Sequence, residues 1–103
     1  LTGIDQLIQD GIADPHRLAV GGCSHGGSLT NWLITQTDRF RAALSCAGSV
    51  EFVSDWGAAD DASFYRYWFD GLPWQTPQIY HKESPIYYLD RVRTPTHICT
   101  GAN

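Results

Sequence analysis

The chain has no apolar run near the ~18 residues that a membrane-spanning helix needs. It has no cluster of Lys and Arg: its 103 residues carry a formal net charge of -4, without long runs of either sign. A basic surface for nucleic acid is therefore not expected, and neither is insertion into a membrane. The three cysteines, Cys23, Cys46 and Cys99, form no CxxC pair and no Cys/His spacing suited to a metal. They read as buried free thiols on strands rather than as a disulfide framework. The first residue is Leu1 rather than Met, and no signal-peptide pattern follows it. The chain is thus expected to be an interior piece of a longer protein. No internal repeat, low-complexity stretch or linker interrupts it. Residues 1–103 therefore read as part of one domain.

What is present reads as globular. Apolar residues make up 43% of the chain and charged residues 17%. Ile4, Leu7, Ile8 and Ile12 recur at helical spacing, with Gly11 as a stop signal. Asp14 and Pro15 mark a turn. Leu18 to Gly22 is an apolar run without alternation, the pattern of a strand covered on both faces. Leu29, Trp32 and Leu33 then predict a helix that fades near Thr37 and Asp38. Ala42 to Ala47 is a second strand of the buried type, ended by Gly48. Strand, helix, strand is the order of a βαβ crossover in a parallel sheet.

From Ser49 to Tyr80 aromatic residues cluster between short helices and loops. Thr76-Pro77 and Ser84-Pro85 each predict a helix start, with a side-chain cap followed by proline at the first helical position. Thr96 to Thr100 reads as a third strand.

The residues that carry chemistry are Gly22-Cys23-Ser24-His25-Gly26, a G-x-S-x-G pattern. An apolar strand runs into it and a helix leaves it, which is the setting of a nucleophile elbow. A serine there is held outside the carboxyl end of a strand on strained backbone. Gly21, Gly22, Gly26 and Gly27 permit the close approach of strand and helix. Ser24 is the candidate nucleophile. The backbone N–H of His25, at the helix N-terminus, is the candidate oxyanion donor. A phosphate-binding loop is disfavoured, because no Lys-Ser/Thr follows the glycines. The remaining histidines, His16, His81 and His97, read as structural or surface residues. Asp60 and Asp61 read as a helix cap. Glu51 and Asp55 are solvated loop charges on the plainer reading, or an entrance that attracts a substrate amine.

The stretches Asp14 to Gly27, Asn31 to Ala43, Gly71 to Trp74 and Ser84 to Thr96 together resemble the catalytic domain of prolyl-oligopeptidase-like serine peptidases. This group includes acylaminoacyl and dipeptidyl peptidases. The resemblance implies an α/β-hydrolase fold: a doubly wound, mostly parallel sheet, here about three strands with flanking helices. It implies a short peptide as substrate. No cofactor is expected, because neighbouring groups would activate the nucleophile and the sequence shows no metal-binding cluster. It places Ser24 on the nucleophile and His25 on an oxyanion amide, and it makes Phe52 and Trp56 candidates for an apolar substrate pocket. It also implies that Gly101-Ala102-Asn103 opens the turn bearing the catalytic acid. The acid, the histidine and the second oxyanion donor would then lie outside these residues, and the 103 residues alone would be inactive. A carboxylesterase or deacetylase of the same fold, or a non-catalytic binding homologue, are the alternatives.

Overall fold

The computed structural model describes residues 1–101, so Ala102 and Asn103 of the expected acid-bearing turn lie outside the described residues. Three short strands, β1 (Ala19–Cys23), β2 (Ala42–Cys46) and β3 (Thr96–Cys99), form one sheet in the order β1-β2-β3. Both pairings are parallel. Helix α1 (Thr2–Gln9) precedes β1, and α2 (His25–Gln36) makes the crossover to β2. Between β2 and β3 come α3 (Phe52–Ala58), the single turn α4 (Tyr65–Trp68), α5 (Pro77–Glu83) and a 3₁₀ helix over Pro85–Arg91. All three strands expected from the sequence are present, each within a residue or so of its expected place.

Helix α1 ends as Gly11 dictates. Gly11 has φ 72°, its N–H bonds to the Ile8 carbonyl, and the Ile12 N–H reaches back to Leu7. These paired bonds satisfy carbonyls that the helix end would otherwise leave open.

Helix α2 packs on β1, β2 and the 3₁₀ helix. Its buried stripe is Gly27, Thr30, Asn31, Ile34 and Thr35, whereas Leu29, Trp32 and Leu33, whose spacing predicts the helix, are exposed or half-buried. Small residues let the helix lie close to the sheet, and each buried polar side chain finds a partner. The Thr30 hydroxyl donates to the Gly26 carbonyl at 2.8 Å, and the Asn31 amide donates to the Ser49 carbonyl at 3.2 Å. The larger Leu29 and Trp32 turn sideways and line a cavity with Phe52 and Trp68.

Along β2, Ala43 and Ser45 are buried towards α2, while Ala42 and Leu44 are exposed on the opposite face. The parallel register sets Cys23 beside Cys46, and Cys46 beside Cys99. The thiols are free and on strands, but they are not buried as expected: Cys23 and Cys99 are exposed and Cys46 is half-buried. The reason is their place, at the strand ends on the face that α2 does not cover. The Cys23 and Cys46 sulfurs lie 2.8 Å apart. That hydrogen bond, with some burial and the neighbouring thiols, pushes the Cys46 thiol up to about 11.

The aromatic excursion forms its own core. Tyr65, Phe69 and Tyr80 are buried, with Phe52, Trp56 and Ile79 packed around them. The two Pro-led helices begin where the sequence predicts, but neither is capped by its Thr or Ser side chain. The Thr76 hydroxyl donates instead to the Phe69 carbonyl at 2.8 Å. The Ser84 hydroxyl donates to the Tyr80 carbonyl at 2.7 Å and accepts from the Phe52 N–H at 3.0 Å. Ser84 is buried and Thr76 half-buried, and their hydroxyls tie segments together where water has little access. Asp61 accepts from the Ser63 N–H at 2.9 Å, two residues before α4, and so caps a turn ahead of the helix.

Candidate active site

Ser24 sits between the last residue of β1 and the first of α2, with φ 57° and ψ -122°. Left-handed backbone at a non-glycine residue is costly and persists only where the surroundings enforce it. Here they do. The Ser24 N–H donates to the Cys46 carbonyl at 2.9 Å, which ties the turn to β2. The Ser24 carbonyl accepts from the Ser28 N–H at 3.0 Å, the first bond of the helix. The Ser28 hydroxyl accepts from the Ser49 N–H at 2.9 Å, joining α2 to the segment after β2.

Close backbone approach completes the turn. A Cβ on Gly22 would stand 2.4 Å from the Gly26 carbonyl carbon. A Cβ on Gly27 would stand 2.4 Å from the Cys46 carbonyl oxygen, and one on Gly48 would stand 2.4 Å from the Gly27 carbonyl carbon. No real Cβ tolerates these separations. Gly26 differs: a Cβ there would meet open space, so it serves by offering bare backbone to Gly22. Gly48, read from sequence only as a strand stop, is part of the elbow. Its signal is tertiary, because it faces Gly27 across the crossover.

The result is an exposed Ser24 at the carboxyl end of β1. The His25 N–H follows as the first of α2 and has no backbone acceptor among the described residues. Its ring packs on Trp68, with centroids 5.2 Å apart. An unpaired amide at a helix N-terminus beside an exposed hydroxyl can stabilise negative charge developing on a carbonyl oxygen that Ser24 attacks.

Ser24 opens into a cavity of about 220 Å³. Its walls include His25, Phe52, Phe64, Tyr65 and Trp68, with Asp55 as the lining carboxylate. Of the two pocket candidates, Phe52 lines this cavity and Trp56 does not. Trp56 instead meets Trp74 edge-on at 5.4 Å and packs against the aromatic core. Phe64, Tyr65 and Trp68 were legible as part of an aromatic cluster, but nothing in their spacing marked them as wall residues.

The charges of the excursion are more ordered than solvated loops. Glu51 caps α3, accepting from the Val53 N–H at 3.0 Å, the Ser54 N–H at 2.8 Å and the Ser54 hydroxyl at 2.6 Å. Partial burial pushes its carboxyl up, but the hydrogen bonds from Ser54 and Val53 outweigh that and hold it below the usual range. The Tyr65 hydroxyl donates to Asp55. Burial, then Asp55, pushes the Tyr65 phenol above its usual range.

His81 stacks on Tyr87 at 3.7 Å, and His97 lies within β3; neither lines the Ser24 cavity. His16 is an exposed turn residue whose N–H bonds to Asp14. Among the described residues, no group of three or more His, Cys, Asp or Glu is placed to hold a metal ion. No described helix is long and apolar enough to cross a membrane.

Comparison with known proteins bears on the fold and the family. The chain is 36% identical over 110 residues to an acylamino-acid-releasing enzyme of Arabidopsis thaliana. It superposes with a TM-score of 0.84, at 29% identity, on an acylaminoacyl peptidase solved in complex with Z-Gly-Gly-Phe-chloromethyl ketone. It superposes with a TM-score of 0.81, at 37% identity, on a puromycin-hydrolyzing peptidase of Mycobacterium tuberculosis. These matches cover 98%, 95% and 93% of this chain, but only 14%, 16% and 15% of those proteins. The sheet and its helices are thus part of an α/β-hydrolase fold. The model of the prolyl oligopeptidase family matches residues 1–103, and the chain belongs to that family.

Proposed function

We propose that this chain carries the nucleophile of a serine peptidase that hydrolyses short peptides through an acyl-enzyme on Ser24. One observation carries the reading: Ser24 is exposed, with φ 57° and ψ -122°, between a parallel strand and a helix. That geometry is costly, and a structural serine does not need it.

The mechanism follows from what surrounds the hydroxyl. A histidine takes the Ser24 proton as the oxygen attacks the substrate carbonyl, and a carboxylate orients that histidine. On this reading both come from sequence outside these 103 residues. The oxyanion then forms beside the N–H of His25. A donor of this kind is worth about 2.7–4 kcal/mol of barrier. The histidine gives that proton to the leaving amine as the C–N bond breaks; water then loses a proton to the same histidine as it attacks the ester, and the histidine returns the proton to the Ser24 oxygen as the acid is released. Two solved structures that match over nearly the whole chain bear peptidase names, and a third relative is named an acylamino-acid-releasing enzyme, which supports a peptide substrate over a simple ester.

The test is kinetic and uses the complete enzyme. Ser24→Ala is expected to lower kcat for an aminoacyl anilide by on the order of 10⁶-fold. The circular dichroism spectrum should be unchanged. Parallel assays with short acyl esters distinguish the substrate class: strong ester turnover with no amide cleavage would favour an esterase. Undiminished amide turnover by Ser24→Ala would end the proposal.

A further inference from the structure

We propose that Asp55 anchors a cationic nitrogen carried on the acyl side of the substrate, and so sets a preference of this site for charged over neutral acyl groups. The inference rests on the reading of Ser24 as nucleophile and names the substrate class for that same site.

The cavity that Ser24 enters is small, about 220 Å³, a space for one residue rather than an extended peptide. Its walls are aromatic: Phe52, Phe64, Tyr65 and Trp68. Asp55 is the one carboxylate lining it, and no Lys or Arg does. The one ion pair among the described residues, Arg39 with Asp5, lies elsewhere. Among the described residues, no cation therefore neutralises the charge of Asp55 there.

Asp55 is also held in place. The hydroxyl of Tyr65, a residue only 3% exposed, donates to Oδ2. The phenol stays protonated, because burial and the neighbouring carboxylate oppose its ionisation. A carboxylate can accept about four hydrogen bonds, so one from Tyr65 leaves room for a ligand. An anionic oxygen among aromatic faces is the recognition chemistry of an ammonium or guanidinium group. The carboxylate supplies a charge-assisted hydrogen bond, and the rings supply cation–π attraction. An apolar side chain would fill the aromatic walls but leave the remaining acceptor positions of Asp55 desolvated and without a donor, which costs affinity.

Such a cation has two sources: the free α-ammonium of an N-terminal residue, or the side chain of Lys or Arg. Two substrate pairs separate them, assayed on the complete enzyme. The first is alanyl-p-nitroanilide against its N-acetyl form. The second is N-acetyl-lysyl-p-nitroanilide against N-acetyl-norleucyl-p-nitroanilide. In the unmodified enzyme, the cationic member of one pair is expected to have the higher kcat/KM by about 10-fold or more. The first pair reports an α-ammonium, and the second a side-chain cation. Asp55→Asn should reduce that ratio about 10–100-fold, mainly through KM. Tyr65→Phe, which keeps the charge, should retain a preference for the cation.

Equal kcat/KM within both pairs in the unmodified enzyme would overturn the proposal, and this readout does not depend on any variant folding. So would an Asp55→Asn enzyme in which both members of the preferred pair fall together, because that is the signature of a merely structural role. Running Ser24→Ala on the same panel keeps the two readings apart. Turnover that survives it removes the nucleophile assignment, whatever Asp55 does.

Discussion

Ser24 and its glycines show how a few atoms of space decide a site. The strand and helix approach so closely that Gly22, Gly27 and Gly48 each leave room for no more than a hydrogen. Gly48→Ala is expected to destabilise the fold by about 1–3 kcal/mol, since its Cβ would press on the rigid backbone of Gly27 and Ser28. Gly26→Ala, whose Cβ enters open space, should leave the urea midpoint nearly unchanged. Equal midpoints for the two variants would contradict this account of the turn. Ser24, His25, Gly22 and Gly27 were legible because their requirement is local and linear. Gly48 was not, because its constraint arises only once the chain has crossed over and returned beside α2. The cavity wall was illegible for the same reason. Phe52 and Trp56 share one helix, yet the fold turns Phe52 towards Ser24 and Trp56 towards Trp74.

At the scale of elements, the start of α3 depends on one carboxylate. Glu51 satisfies the N–H groups of Val53 and Ser54. Its folded-state ionisation lies below the usual 4.5, so ionised Glu51 stabilises the folded chain. That contribution is fully present above pH 4.5 and is lost as pH falls through the lower folded value. Glu51→Gln is expected to cost about 0.5–2 kcal/mol at neutral pH. The gap between variant and wild type should close on acidification, as measured by urea unfolding across pH 3–7 (roughly the carboxylate range). A gap independent of pH would show that the charge is irrelevant.

Strands and crossover were readable because apolar runs and helical spacing are periodic signals. The spacing of Leu29, Trp32 and Leu33 predicts α2 but does not reveal the face it buries: that stripe is mostly small and polar, satisfied by neighbouring carbonyls, while Leu29 and Trp32 line a cavity. The capping chemistry of Thr76 and Ser84 was misread because burial redirects a hydroxyl that would cap a helix at a surface.

For the whole molecule, the sheet is half-dressed. Helix α2 covers one face, while Leu44 is 46% exposed on the other and Ile98 is 75% exposed on β3. The chain spans about one sixth of the length of the proteins it matches. No second histidine lines the Ser24 cavity besides His25, whose ring is engaged with Trp68. The isolated 103 residues are therefore expected to hydrolyse neither amides nor activated esters. Ester turnover by the purified piece above that of its Ser24→Ala control would show that these residues complete the machinery themselves. The family could be read from the sequence because several motifs recur in order along nearly the whole chain. The acid and base could not be placed on it, since neither His81 nor His97 reaches the cavity.

The most direct test of the central claim is chemical. The complete enzyme is treated with a fluorophosphonate, and the modified peptide is mapped by mass spectrometry. The expected result is a single stoichiometric adduct on Ser24, with loss of activity in step with labelling. An adduct on another serine, with Ser24 unmodified while activity disappears, would contradict the account.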